Sequence, residues 1–421
     1  MRGSRMTEIK GKCKRALVLA GGLPQIELLR QLKSRGICTV LADGSDNCVA
    51  RDYADKFVKT PIFDIDAVKQ LAIDEKVDFL ITVCADQVLL VVAQVSEMLG
   101  LPCYIDYETA QNVSDKIKMK RIFKVHGIPT TDYVETSSLD MNIIGKLRYP
   151  LVVKPIDAYS SKGVRKVENE EELKKYYKEA AQISRTHGVI VEEYYEGEEI
   201  SVDAFITDGK AKILCISNSD KIKDDGRFVI YRGKYPVNAS KELIGKIEVV
   251  AQKITDAFGL KNAPLLIQML TDGKDISVVE FCARTGGNTK YLLIKYSCGV
   301  DVISAAIDLS LGKTPEIHLC DTGNKVVVND FIYCLPGIFD HLEGFQEMQD
   351  AGYINEYHEI RSSGTKTNGV TCSSDRIATF NVVADSKQEF NRKLEIINKN
   401  IKIIGNDGTD LMRHDMLVKW K

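Results

Sequence analysis

Apolar and polar positions along this chain follow two rhythms, and the change between them divides it. Residues 14–19 (KRALVL) form a short strand-like run, followed by Ala20-Gly21-Gly22 and an amphipathic stretch over 24–35. The pattern recurs: 38–42 (CTVLA) reads as strand, 66–75 as helix, 77–84 (VDFLITVC) as a buried strand and 87–99 as helix. Alternation of this kind predicts a doubly wound parallel sheet. Gly21 and Gly22 suit a tight strand-to-helix turn. The full GxGxxG fingerprint is missing, so Asp43 carries little weight as the ribose acid of a dinucleotide site.

A helical pattern over 109–126 ends at Gly127-Ile128-Pro129, and beyond it the rhythm changes. A strand bracketed by prolines (149–155), a polar turn (160–163), a charged helix (170–182) and strands at 189–193 and 199–207 predict antiparallel hairpins with a helix. A helix over 242–258 precedes two strands, 265–270 and 276–281, joined by an Asp-Gly turn that marks a hairpin. Residues 312–324 are loop-like, and the last hundred alternate short strands with one clear helix, 387–398. The predicted partition is 1–112, 113–310 and 311–421, an α/β domain followed by α+β parts. Residues 1–5 (MRGSR) precede a second methionine, Met6, and are expected to be a leader or upstream start outside the fold.

Composition narrows the partners. At 421 residues the chain should hold two or three domains, and 44% hydrophobic with 28% charged residues is ordinary for a globular protein. A formal net charge of -2 gives no global field to recruit nucleic acid or an anionic membrane, so small molecules are expected. Eleven cysteines without CxxC pairs read as reduced thiols in a cytoplasm, and six histidines without HxH or HExxH spacing do not suggest zinc. No apolar run approaches a membrane span.

Two segments carry candidate chemistry. Lys154 projects from the apolar strand LVVKP, where a cation needs an anion such as phosphate unless it snorkels to solvent. The turn that follows, with Ser160, Ser161 and Gly163, offers hydroxyls and backbone N–H groups of the kind that line up on phosphate oxygens. In VVEFCARTGGN (278–288), Glu280 leaves a strand as an oxygen ligand for a hard cation, and Arg284 can neutralise a phosphoryl group or grip a carboxylate. Gly286 and Gly287, before Asn288, let backbone N–H groups approach an oxyanion. A surface ion pair beside a glycine turn would account for each residue, though not for their order.

Four motifs in order, DKIKMKRIFKVHGIPTTDY (115–133), YPLVVKPIDAYSSKGV (149–164), VIVEEYYEGEEISVD (189–203) and VVEFCARTGGN, make the chain resemble the ATP-grasp superfamily. That superfamily includes D-alanine:D-alanine ligase, biotin carboxylase, the carbamoyl phosphate synthetase large subunit and bacterial L-amino acid ligases. The resemblance implies an ATP-grasp fold: an N-terminal Rossmann-like (pre-ATP-grasp) domain, a central domain whose lid, about 130–203, closes on ATP, and a C-terminal α+β domain completing the cleft. It implies ATP and Mg2+ as cofactors. By position it makes Lys116 and Lys154 the phosphate lysines, Glu192, Glu193 and the backbone near Tyr194 and Tyr195 the adenine hinge, and Glu199 the ribose ligand. Glu280 matches the metal glutamate, and Arg284 the arginine near the γ phosphate and acyl group.

Two positions depart from the pattern. Gln268 stands where a second metal glutamate is usual, and Cys282 where asparagine is. Since amide and thiol are poor ligands for a hard ion, one strong protein-held magnesium is expected rather than two. Arg227, Tyr231 and Arg232 lie where relatives place a substrate-facing loop, although a plain hairpin fits as well. Asp86, at the carboxyl end of the first sheet, is a weaker substrate candidate.

The expected activity is that of an ATP-dependent carboxylate–amine ligase, forming an amide through an acyl phosphate on small-molecule substrates, with homodimers the usual outcome for such enzymes. Rivals are a purine-pathway ligase of the phosphoribosylglycinamide synthetase kind, a non-catalytic ATP-binding regulatory module and, last, an NAD-dependent dehydrogenase.

Overall fold

Strand β1 (Arg15–Leu19) shows why the first region folds as it does. Ala16 and Val18 point to one side, against α1 (Leu23–Ser34), while Leu17 and Leu19 point to the other, against α2 (Ile65–Asp74) and α3 (Asp86–Leu99). A strand buried on both faces belongs inside a parallel sheet. It pairs in parallel with β2 (Cys38–Asp43) and β4 (Phe79–Ile81), and β3 (Lys56–Lys59) completes the order β3-β2-β1-β4. The computed structural model describes residues 13–158, 161–222, 227–323 and 325–421.

The single helix expected over 109–126 is two. Asp115 takes an extended conformation that ends α4 (Tyr107–Ser114), and its carboxylate accepts from the backbone N–H groups of Ile117 and Lys118 to start α5 (Lys116–Val125). An aspartate N-cap outcompetes helix continuation here, and it sets Lys116 on the first turn of a new helix.

A small antiparallel sheet follows, made of β5 (Tyr133–Thr136), β6 (Leu151–Pro155), β7 (Arg165–Val167) and β8 (Val189–Glu193) in the order β5-β8-β6-β7. The short α6 (Met141–Ile144) and the amphipathic α7 (Glu170–Ile183) cover its apolar face, with Leu173, Tyr177 and Ala180 against Leu151, Val153, Val189 and Val191. Alternation turns Lys154 and Glu192 to the opposite face.

The largest sheet has eight strands. From one edge it runs β13 (Ile276–Cys282), β12 (Ala263–Thr271), β9 (Glu198–Thr207), β10 (Lys210–Lys221), β11 (Ile230–Tyr235), β14 (Val326–Ile332), β18 (Ala378–Ala384) and β16 (Glu356–Glu359). Along β9, Ile200, Val202, Ala204 and Ile206 pack toward α8 (Lys241–Ala257), whereas Phe205 packs with α9 (Lys290–Cys298) and α10 (Val302–Ser310). The ranges 113–310 and 311–421 therefore share one sheet, joined where β11 pairs with β14. A three-stranded sheet of β15 (Gly337–Glu343), β17 (Lys366–Thr367) and β19 (Lys402–Gly405), with α11 (Phe345–Asp350) and α12 (Lys387–Asn400), finishes the chain. Among the described residues no helix is long and apolar enough to cross a membrane.

Candidate functional site

The small β5–β8 sheet and the eight-stranded sheet face each other across a cavity of about 1970 Å³. On its wall, Glu192 is clamped between two lysines: Lys154 Nζ lies 2.6 Å from Oε1 and Lys120 Nζ 2.8 Å from Oε2. All three side chains are nearly excluded from water. Burial alone would raise the Glu192 pKa, but the two ammonium groups hold it down at about 2. Lys154 moves the other way: burial, with Lys120 and Lys116 nearby, depresses its pKa against the pull of Glu192. Lys120 escaped the sequence reading, although it sits one turn after Lys116 on the same helix face, the spacing that could have revealed it.

Lys116 reaches Glu280 Oε2 at 3.4 Å and donates to the Ala158 carbonyl at 3.0 Å, so α5 and β13 meet at the cavity. Burial would lower the Lys116 pKa, yet Glu280 and other acids outweigh it and raise the pKa above its ordinary value. Gln268 lies opposite Glu280 in the β12–β13 register and donates to Glu199 Oε1 at 3.2 Å. Glu199 Oε2 in turn meets Lys221 at 2.5 Å. Among the described residues no group of three His, Cys, Asp or Glu could hold a metal ion. One half-exposed carboxylate beside an amide suits a magnesium that completes its shell from phosphate and water, and does not suit a metal held by protein alone.

Arg284 is engaged rather than free. Its Nε and Nη2 fork onto Asp86 at 2.7 and 2.5 Å, and Nη1 donates to the Thr285 carbonyl. Burial would raise the Asp86 pKa, but the guanidinium holds it below the usual carboxylate range. Asp86 thus ties the first sheet to the Arg284 segment. Burial pushes the Cys282 thiol well above its ordinary pKa and Cys84 up to about 11, so neither is an activated thiolate.

The glycines divide the work. A Cβ on Gly286 would lie 2.5 Å from Lys290 Cγ, and Lys290 lies 3.0 Å from Asp203, so Gly286 lets that buried pair form. Gly287 has open space around it and lines the cavity. Asn288 adopts a left-handed φ of 58° just before α9. Gly163, with φ 74°, fits where a Cβ would strike Ile183 and Pro155, so its freedom serves the turn's packing onto β6. Ser161 lines the cavity, whereas Ser160 lies outside the described residues.

At the strand after Glu192, the Glu193 carboxylate turns to Arg148 at 2.9 Å, and the Glu193 and Tyr194 N–H groups bond to the carbonyls of Asp132 and Pro150. The carboxylates of Glu192 and Glu193 are thereby both committed to cations. Tyr194 and Tyr195 line the cavity. Arg232, grouped with a substrate-facing loop from the sequence, is instead fully buried, paired with Asp330 of the neighbouring strand β14 at 2.6 Å and packed over the Phe390 ring of α12; Arg227 and Tyr231 do face the cavity.

Residues 147–291 match the model of the ATP-grasp domain. Among curated proteins, the chain is 23% identical over 372 residues to the mitochondrial carbamoyl-phosphate synthase [ammonia] of Homo sapiens, covering 84% of this chain and 23% of that protein. It is 25% identical over 292 residues to the carbamoyl phosphate synthase large chain of Clostridium acetobutylicum, covering 67% of this chain and 27% of that one. The chain spans about a quarter of the length of these relatives. Among solved structures, L-amino acid ligase from Bacillus licheniformis superposes with a TM-score of 0.78 at 20% identity, covering 94% of this chain and 100% of that one. Phosphoribosylglycinamide synthetase from Anaerococcus prevotii gives a TM-score of 0.74 at 21% identity, covering 94% and 100%. These matches establish the fold.

Proposed function

From a chain that carries an ATP-grasp domain within the ATP-grasp fold, we propose an ADP-forming ligase that joins a carboxylate to an amine. The observation that carries the reading is the 3.4 Å contact of Lys116 with Glu280, which sets on one cavity wall beside Lys154 a cation and a carboxylate of the kinds that phosphate and a hard metal require. A carboxylate oxygen of the first substrate attacks the γ phosphorus of ATP, releasing ADP and leaving an acyl phosphate. The amine then attacks the acyl carbon, phosphate departs and the amine loses a proton, giving an amide. Lys116 and Lys154 draw charge from the phosphoryl oxygens, and Arg284, oriented by Asp86, faces the transferring group. Gly287, with open space where a Cβ would stand, leaves room for a tetrahedral oxyanion to approach the backbone N–H groups of this turn. Glu280, with Gln268 beside it, would hold a magnesium ion, which when bound would supply charge neutralisation on the nucleotide phosphates.

The β5–β8 sheet is the lid of this proposal, and its closure excludes water from the acyl phosphate. A cytoplasmic setting belongs to the same reading, supported by eleven cysteines that are all free. The test is ADP release from MgATP across a panel of amino acids and other carboxylates with amines. Activity should appear with one pair and vanish in Glu280→Gln. No release across a broad panel, or full turnover by the variant, counts against the ligase.

Gln268 and Cys282, which leave a single carboxylate for the metal, favour a second reading as an ATP-binding regulatory module. ATP binding without turnover, unaltered by Gln268→Glu, is the result that would select it.

A further inference from the structure

Two cysteines outside the cavity lining, Cys13 and Cys38, meet at the far end of the first sheet. Helix α1 stops at Ser34, and Gly36, with φ 71°, turns the chain back. The Ile37 N–H then bonds to the Leu32 carbonyl at 3.0 Å, and β2 begins at Cys38. The Cys38 N–H bonds in turn to the Lys14 carbonyl at 2.8 Å, just ahead of β1. That bond brings Cys13, the residue before Lys14, alongside the turn. Its Sγ lies 2.7 Å from Cys38 Sγ and 2.9 Å from the Gly36 carbonyl oxygen. Cys13 is exposed and Cys38 half-buried, so solvent reaches the pair.

Other cysteines are placed differently. Burial pushes the thiols of Cys48 and Cys84 up to about 11, and those of Cys215 and Cys334 up to about 12, which keeps them protonated and slow to react at neutral pH. The Cys38 thiol is raised chiefly by its hydrogen bond with Cys13, a cause that vanishes once Cys13 is oxidised. Disulfide sulfurs stand about 2.0 Å apart, so two side chains at the surface need to close only about 0.7 Å to bond.

We propose that Cys13 and Cys38 are an oxidation site, where peroxide converts the thiol pair to an intramolecular disulfide. The exposed Cys13 thiolate attacks one peroxide oxygen; the O–O bond breaks, the departing hydroxide takes a proton to become water, and Cys13 is left as a sulfenic acid. Cys38 gives up its proton and attacks the Cys13 sulfur; the S–O bond breaks, a second water leaves and the S–S bond forms. The two thiols lose two electrons and peroxide gains them. The bond encloses α1 and ties residue 13 to the start of β2. It lies at the amino ends of β1 and β2, whereas Asp86 reaches the cavity beyond the carboxyl end of the parallel β4, so the proposal is independent of the ligase reading.

The full chain, reduced and freed of reductant, is treated with a few equivalents of hydrogen peroxide, denatured, capped with N-ethylmaleimide and weighed intact. The oxidised chain should carry two fewer adducts than the eleven of the reduced chain, and dithiothreitol should restore them. Fragment spectra of the digested protein should join Cys13 to Cys38 rather than to Cys48. Cys13→Ser should lose no pair of adducts. In Cys38→Ser the oxidation should stop at the Cys13 sulfenic acid, which dimedone should label severalfold more than in wild type, where Cys38 consumes it. Oxidation in denaturing urea should lose the preference for this pair, because the fold makes the contact. Eleven adducts after peroxide, a bond between other cysteines, the same loss of adducts in Cys13→Ser, or an equal yield of the Cys13–Cys38 bond in urea overturns the site. Should a variant fail to fold, the fragment spectra of the wild-type chain with and without urea decide by themselves.

Discussion

Replacing Glu192 by Gln removes the one carboxylate that two buried lysines share, and the geometry sets the cost. Contacts of 2.6 Å to Lys154 and 2.8 Å to Lys120 give the wild-type cluster one net positive charge; the variant would bury two. A Glu192 pKa near 2 against its ordinary 4.5 corresponds to about 3 kcal/mol of stabilisation of the charged form. Deleting one partner of a buried pair costs about 3–5 kcal/mol by the same logic. Hydrogen exchange of the β6 and β8 amides reads this locally, and at pH 7 they should exchange about a hundredfold faster in Glu192→Gln. Because folding depresses this pKa, the stabilisation is complete above pH 4.5 and lost as pH falls through about 2. The ratio of wild-type to variant protection should therefore shrink to about tenfold at pH 3. A ratio near one at pH 7, or one that stays constant down to pH 3, would refute Glu192 as the charged counter-ion.

Three further changes test the neighbouring groups. Asp86→Asn keeps the shape of the Arg284 partner but removes its charge; kcat for ADP formation should fall by about tenfold with KM for ATP little changed, and an unchanged kcat would show that Asp86 does not orient Arg284. Gln268→Glu places a carboxylate between Glu199 and Glu280; the magnesium concentration giving half-maximal ADP release should fall severalfold while the metal-free Tm drops, and an unaltered magnesium curve would put residue 268 outside the metal's reach. Gly286→Ala would thrust a methyl to 2.5 Å from Lys290 Cγ, displacing Lys290 from Asp203. Urea unfolding should register a loss of about 1–3 kcal/mol, and a neutral result would mean the turn yields freely.

Much of the fold was legible because it depends on periodicity. The parallel unit from β1 to α3 is a repeat of buried strand and amphipathic helix, and each of the helices expected over 170–182, 242–258 and 387–398 forms with its ends shifted by at most a few residues. What escaped lacked a local signal. Helices α9 and α10 are buried on most of their faces, so they carry little amphipathic pattern. Strand β3 is short and half-exposed at a sheet edge. The break at Asp115 was visible only to a reading that let an N-cap interrupt an otherwise continuous helical pattern.

The chemistry divides the same way. The sequence by itself determined which elements carry Lys154, Glu280 and Arg284, because a charged residue on an apolar strand or beside a glycine turn is conspicuous in one dimension. The tertiary structure alone decided what each one touches: that Glu192 serves Lys120 and Lys154, that Asp86 grips Arg284 from another sheet, that Arg232 is buried against Asp330, and that Gly286 makes way for Lys290. The reason is physical. Strand and helix propensities are set by near neighbours, whereas the partner of a charge is chosen by how distant elements pack, and burial makes that choice worth several kcal/mol.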